Sequence, residues 1–161
     1  AFFSSYAYLQ QVRELFMTLY PEIPSNVQTR SMNEGERQAF LDSFTIHSEG
    51  IGFAVLGGAF GEGIDLPGKR LIGAFIATLG LPQINEINEE IKTRMQQMFG
   101  EENGHDYAYL YPGLQKVVQA AGRVIRTTAD HGVVYLLDDR FGQHRIKDLL
   151  PAWWKVEPYR L

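Results

Sequence analysis

The chain has 161 residues, 45% of them hydrophobic, and a formal net charge of −4. That size suits one domain able to bury roughly two-thirds of its unfolded surface, and the lack of cysteine excludes a disulfide framework or a thiolate metal site. The acidic total excludes a global basic field, so any contact with nucleic acid has to come from a local patch or groove. His47, His105, His131 and His144 are scattered without ligand spacing, and no metal site is expected. No apolar run approaches the ~20 residues that span a bilayer, and no basic leader precedes one, which reads as a soluble, cytoplasmic chain without a membrane partner.

In chain order, Ala1, Phe2 and Phe3 form an apolar run that stops at Ser4 and Ser5, as in a chain cut inside a buried strand. The expectation is one excised domain over residues 1–161. Ser5 is a candidate N-cap for a helix whose Leu9, Val12, Phe16 and Leu19 recur at helical spacing up to Pro21 and Pro24. Val27 to Arg30 reads as a short strand, and Asn33 with Glu36 has capping-box spacing for a second helix turning Phe40, Leu41 and Phe44 inward.

Gly52 to Leu56 and Leu71 to Ala77 are continuous apolar runs of the kind covered on both faces of a sheet. Ile84, Ile87, Ile91, Met95 and Met98 then make a helical stripe expected to pack in the core, with Glu90 and Arg94 paired on the wet side. A polar loop through Asn103 to Asp106 leads to a helix over roughly Pro112 to Arg126, and Gly132 to Leu137 is the last strand. The tail through Trp153 and Trp154 is expected to pack back. Strands alternating with helices imply an α/β fold, a mostly parallel sheet flanked by helices on both faces.

Three segments carry chemistry. Gln119, Ala120, Ala121, Gly122, Arg123, Val124, Ile125, Arg126 places two arginines three residues apart, and on a helix they share one face and can converge on a polyphosphate. The bland alternative is a solvated helix face. Gly63 to Arg70 imitates a phosphate loop, but Arg70 stands where a magnesium-binding Ser or Thr is required, and Pro67 and Gly68 lead into a strand-like run rather than a helix. The loop Gly57, Gly58, Ala59, Phe60, Gly61, Glu62, Gly63, Ile64, Asp65 follows a buried strand and should emerge at the carboxyl edge of the sheet, where open α/β sheets bind ligands. A mobile connection with two solvated acids is its structural reading.

Together these segments resemble superfamily 2 helicases of the DinG and XPD (Rad3-related) group. Phe2 to Tyr6 looks like motif IV, Gly57 to Asp65 like motif V and Gln119 to Arg126 like motif VI. The likeness continues through Asp106 to Pro112 and Leu137 to Phe141, and it favours the bacterial DinG-like branch. It implies a RecA-like P-loop NTPase fold and the role of second motor domain, the half that closes over ATP and Mg2+ held mainly by a first RecA-like domain of the same polypeptide. In that group the phosphate loop, the magnesium site and any iron–sulfur cluster belong to the other half.

By resemblance, Arg126 is the arginine finger, Arg123 its neighbour and Gln119 a positioner of nucleotide or attacking water. Gly63, Asp65 and Gly122 belong to the nucleotide side, Gly122 permitting close approach of the other domain. Ser4, Ser5, Tyr6, Gly57, Gly58 and Glu62 fall to single-stranded DNA or a forked duplex, with Tyr6 a candidate for stacking on a base. Helix capping by Ser5 and core packing by Tyr6 are the structural alternatives. The resemblance implies ATP-driven 5′ to 3′ movement. A translocase or helicase–nuclease fusion, and a non-motor α/β ligand-binding module, are the other readings.

Overall fold

The computed structural model describes residues 1–60, 66–125 and 130–158. Five parallel strands form one sheet among them: β1 (Phe2–Phe3), β2 (Ser25–Val27), β3 (Ile51–Val55), β4 (Gly73–Ile76) and β5 (Val133–Leu136), in the order β2-β3-β1-β4-β5. The helices are α1 (Tyr6–Leu19), α2 (Glu34–Asp42), α3 (Glu86–Phe99), α4 (Tyr111–Ala121) and α5 (His144–Lys147).

Alternation along the strands splits the core between two faces. Phe2, Ala54, Ala74 and Ile76 pack with Phe40 of α2 and Leu114, Val117 and Ala120 of α4. Phe3 and Phe53 point the other way, onto Leu9 of α1, where their rings stack at 5.9 Å. The sheet is therefore covered on both faces, as the alternating pattern implied. Trp154 packs on the first of these clusters, whereas Trp153 stays exposed.

Local signals explain the helix starts. Ser5 Oγ accepts from the Tyr8 amide at 3.2 Å, capping α1. Asn33 and Glu36 exchange both capping-box bonds, at 2.8 and 3.0 Å. Arg94 pairs with Glu90 at 2.8 Å on the wet side of α3.

Four expectations are corrected. The second strand is Ser25–Val27, so Gln28 to Arg30 lie beyond its carboxyl end. Helix α4 stops at Ala121, because Gly122 is a poor helix former and the chain tightens into three-residue turns, Arg123 N to Ala120 O at 3.1 Å and Val124 N to Ala121 O at 3.0 Å. Arg123 thus sits in a turn, not on the helix face it was expected to share with Arg126.

The apolar stripe of helix α3 does not join the core. Ile87 and Met98 are 73% and 69% exposed, Ile84 just before the helix is 83% exposed, and the half-buried side combines Met95 with Glu89 and Lys92. Glu89 on that side accepts from the Tyr109 hydroxyl at 2.6 Å and pairs with Lys92 at 2.9 Å. These bonds hold the Glu89 carboxyl below its ordinary range, and the Glu89 partner pushes the buried Tyr109 phenol up to about 12. Finally, the segment around Asp106 is not a polar loop. Asp106–Leu110 is a π-helical turn running into α4, and Asp106 is buried with its carboxylate on the Arg145 guanidinium.

Candidate nucleic-acid and nucleotide interface

A parallel sheet delivers every strand's carboxyl end to one edge, and the backbone groups and side chains just beyond that edge form the natural binding line. Ser4, Ser5 and Tyr6 follow β1, Gln28, Thr29 and Arg30 follow β2, Gly57 and Gly58 follow β3, and Asp138 to Arg140 lie just past β5. Because β1, β3 and β2 are neighbours, their trailing residues meet. Tyr6, Gln28, Thr29, Arg30 and Gly58 line one cavity of about 130 Å³, which Met32 and Arg37, on the approach to and along α2, and Ala59 and Phe60 complete.

Gln28 ties this corner together. It is 5% exposed, its amide oxygen accepts from the Val55 amide at 2.8 Å, and its amide nitrogen donates to the Tyr6 hydroxyl at 3.1 Å. A Cβ on Gly58 would stand 3.0 Å from the same nitrogen, so this glycine lets the loop lie against Gln28. The Arg30 guanidinium stacks over the Tyr6 ring at 5.2 Å. One face of Tyr6 is thus occupied, which narrows its expected use as a stacking platform. Ser5 uses its oxygen as a cap acceptor, and Ser4 is exposed beside it.

Gly57 has φ of +74°, a conformation that favours glycine, and a Cβ there would meet Lys116 Cδ at 2.9 Å. The stem of Lys116 therefore lies against the loop after β3, linking it to α4. One turn further along α4 is Gln119, half-buried, and past the helix end come Gly122 and half-buried Arg123. The structure thus brings Tyr6 and Gly58 into one cavity and sets α4 against Gly57. Glu62, Gly63, Asp65 and Arg126 lie outside the described residues.

Arg70, which ends the stretch that imitates a phosphate loop, is committed to another task. Gly68–Arg70 is a short 3-10 turn, and Arg70 donates to the Phe44 and Leu41 carbonyls at 2.7 and 3.1 Å, closing the carboxyl end of α2. A guanidinium held by two carbonyls cannot ligate magnesium. Past β5, Asp138 grips Arg140 through both oxygens, at 2.8 and 2.6 Å, and caps the following turn through the Arg140 amide at 3.0 Å. The Arg140 hydrogen bonds hold the Asp138 carboxyl below the usual range.

An all-parallel sheet in this order, covered on both faces, with glycines just past β3 and an arginine-bearing turn past α4, defines a RecA-like α/β domain. The chain belongs to the helicase C-terminal domain family, whose model matches residues 1–157. It is 34% identical over 102 residues to the ATP-dependent DNA helicase chl-1 of Caenorhabditis elegans, a match covering 63% of this chain and 12% of that protein. To a probable ATP-dependent helicase of Methanocaldococcus jannaschii it is 32% identical over 146 residues, covering 86% of this chain and 22% of the relative. A solved structure titled XPD helicase shares the fold, with a TM-score of 0.72 at 23% identity over 92% of this chain and 26% of that one. The XPD and Rad3-like assignment and the RecA-like fold therefore stand, and the chain spans less than a quarter of the length of these two relatives.

Proposed function

We propose that residues 1–161 are the second motor domain of an ATP-dependent DNA helicase of the DinG and XPD type, excised from a longer polypeptide. The observation that carries this reading is the convergence of the segments after β1 and β3 on one sheet edge, with α4 packed against Gly57, while Arg70 of the phosphate-loop look-alike caps α2. Arg70, held by two carbonyls, does not fit Mg2+, and in this reading ATP and Mg2+ are held mainly by the first motor domain, with any iron–sulfur cluster there too.

In this reading ATP is the shared substrate. Arg126 offsets charge on the γ-phosphoryl group, Arg123 contacts phosphate or braces the domain interface, and Gln119 positions the nucleotide or its attacking water. Gly63 and Asp65 face the nucleotide, and Gly122 allows the other domain to come close. Ser4, Ser5, Tyr6, Gly57, Gly58 and Glu62 hold one DNA strand without reading its sequence. ATP binding closes the two domains and hydrolysis reopens them, shifting the grip along the strand in the 5′ to 3′ direction. The DinG-like branch is part of this proposal.

A finger arginine supplies roughly 10³ to 10⁵ in rate. In the full-length protein Arg126→Ala should keep ATP affinity nearly unchanged while kcat falls by about 10³ or more. The 161-residue chain alone should hydrolyse no ATP above background. Robust turnover by the chain alone, or an unchanged kcat in the variant, overturns the half-site reading.

A further inference from the structure

We propose that Arg30 and Arg37 form a seat for one internucleotide phosphate of single-stranded nucleic acid, in the cavity between the ends of β1 and β2 and helix α2. The inference rests on the motor-domain reading and adds to it two residues outside Phe2–Tyr6, Gly57–Asp65 and Gln119–Arg126, the segments that resemble motifs IV, V and VI. The cavity, about 130 Å³, is well below the ~300–1,000 Å³ of pockets that enclose a whole small molecule. It suits a single charged group on a chain that continues past it.

The donors around it match an oxyanion. The Arg30 guanidinium carbon lies over the Tyr6 ring, 5.2 Å from its centre, and a guanidinium resting on a ring can still turn N–H groups to phosphate oxygens. The Tyr6 hydroxyl accepts from Gln28, which leaves its own proton to donate. Arg37 enters from α2, and its exposed pair to Glu34 at 3.7 Å is of the kind worth little in water and easily exchanged for a polyanion. Thr29 adds an exposed hydroxyl on the rim.

Gln28, bound at both ends of its amide, holds Tyr6 and through it Arg30 in place before any ligand arrives. This local cationic corner also answers how a chain of net charge −4 grips nucleic acid. Of the carboxylates that open α2, Glu36 is engaged with the Asn33 amide, and Glu34 makes the exposed 3.7 Å pair to Arg37 that a phosphate would displace.

The test measures binding of a fluorescent oligothymidylate to the 161-residue chain by anisotropy across a salt series, for the unmodified chain, Arg30→Gln/Arg37→Gln and Arg30→Lys/Arg37→Lys. Each phosphate contact on a single strand contributes about 0.7 to the slope of log affinity against log salt. The glutamine variant should lose about 1.4 of slope and bind about 25-fold more weakly at ~0.1 M salt. The lysine variant, which keeps both charges, should recover most of the slope.

Equal slopes for the unmodified chain and the glutamine variant, with binding intact, overturn the phosphate seat and leave the motor-domain reading standing. Failure of the unmodified chain to bind the oligonucleotide overturns both. Inorganic phosphate at ~10 mM should compete only weakly, since it offers one phosphate and none of the strand's other contacts. Full competition by inorganic phosphate would make this a free-anion site and overturn the assignment to nucleic acid.

Discussion

Gly113 in α4 approaches Gly80, the residue after the β4 loop, so closely that a Cβ on Gly113 would lie 3.1 Å from the Gly80 carbonyl carbon and 2.6 Å from the Leu79 oxygen. The atoms in the way are backbone, and Gly80 itself has φ of +70°. This contact fixes the first turn of the helix that carries Gln119 and ends beside Arg123. Helix propensity alone favours Gly113→Ala by about 1 kcal/mol. Overpacking against backbone costs about 1–3 kcal/mol and should win, giving a net loss on urea unfolding. Gly142→Ala, with nothing within 4 Å of its new Cβ, should stay within about 0.5 kcal/mol of the parent. Stabilisation by Gly113→Ala would mean that α4 is free to move away from the sheet edge.

Tyr6 and Gln28 should be energetically coupled. Tyr6→Phe removes the acceptor of a buried amide and should cost about 0.5–1.5 kcal/mol. Gln28→Met fills similar space but also strips the Val55 N–H of its acceptor, for a loss of about 1–3 kcal/mol. Once Gln28 is gone, the Tyr6 change should cost almost nothing more. The double-mutant cycle should therefore return a coupling of about 0.5–1.5 kcal/mol, and additive losses would show that the 3.1 Å contact carries no energy.

What could be read from the sequence was what a few neighbouring residues decide. The capping box of Asn33 and Glu36 needs only three residues of spacing, and the apolar runs around β3 and β4 announce a doubly covered sheet. Gly122 carries its stop signal openly, and the helix expected over Pro112 to Arg126 ends at Ala121, just before it. The misreadings lie where distant residues decide. Periodicity located the apolar side of α3, but not that Glu89 would meet Tyr109 while Ile87 and Met98 stay exposed. Asp106 is buried because Arg145, 39 residues later, meets it. Gln28 is hidden in the sequence because its task, joining Tyr6 to Val55, exists only after β1, β2 and β3 have paired.

The Asp138–Arg140 pair should appear as an acid-dependent share of stability. The folded Asp138 carboxyl is depressed, first by the side-chain hydrogen bonds from Arg140, so the unfolded chain takes up a proton more readily. Its contribution is fully present above the unfolded value of about 4 and is lost as pH falls through the lower folded value. Arg140, whose guanidinium is shifted upward by the same contact, stays charged throughout and adds no pH dependence of its own in this range. Asp138→Asn removes the charge and keeps a side-chain acceptor for the Arg140 amide. The difference in Tm between parent and variant should therefore be constant from about pH 5 to 8 and close below about pH 4. Because every other carboxylate titrates equally in both proteins, the difference isolates this one group. A gap that persists unchanged at low pH would show that the loss in the variant does not come from the Asp138 charge, since the cap on the turn at Asp139–Gly142 is kept in both proteins.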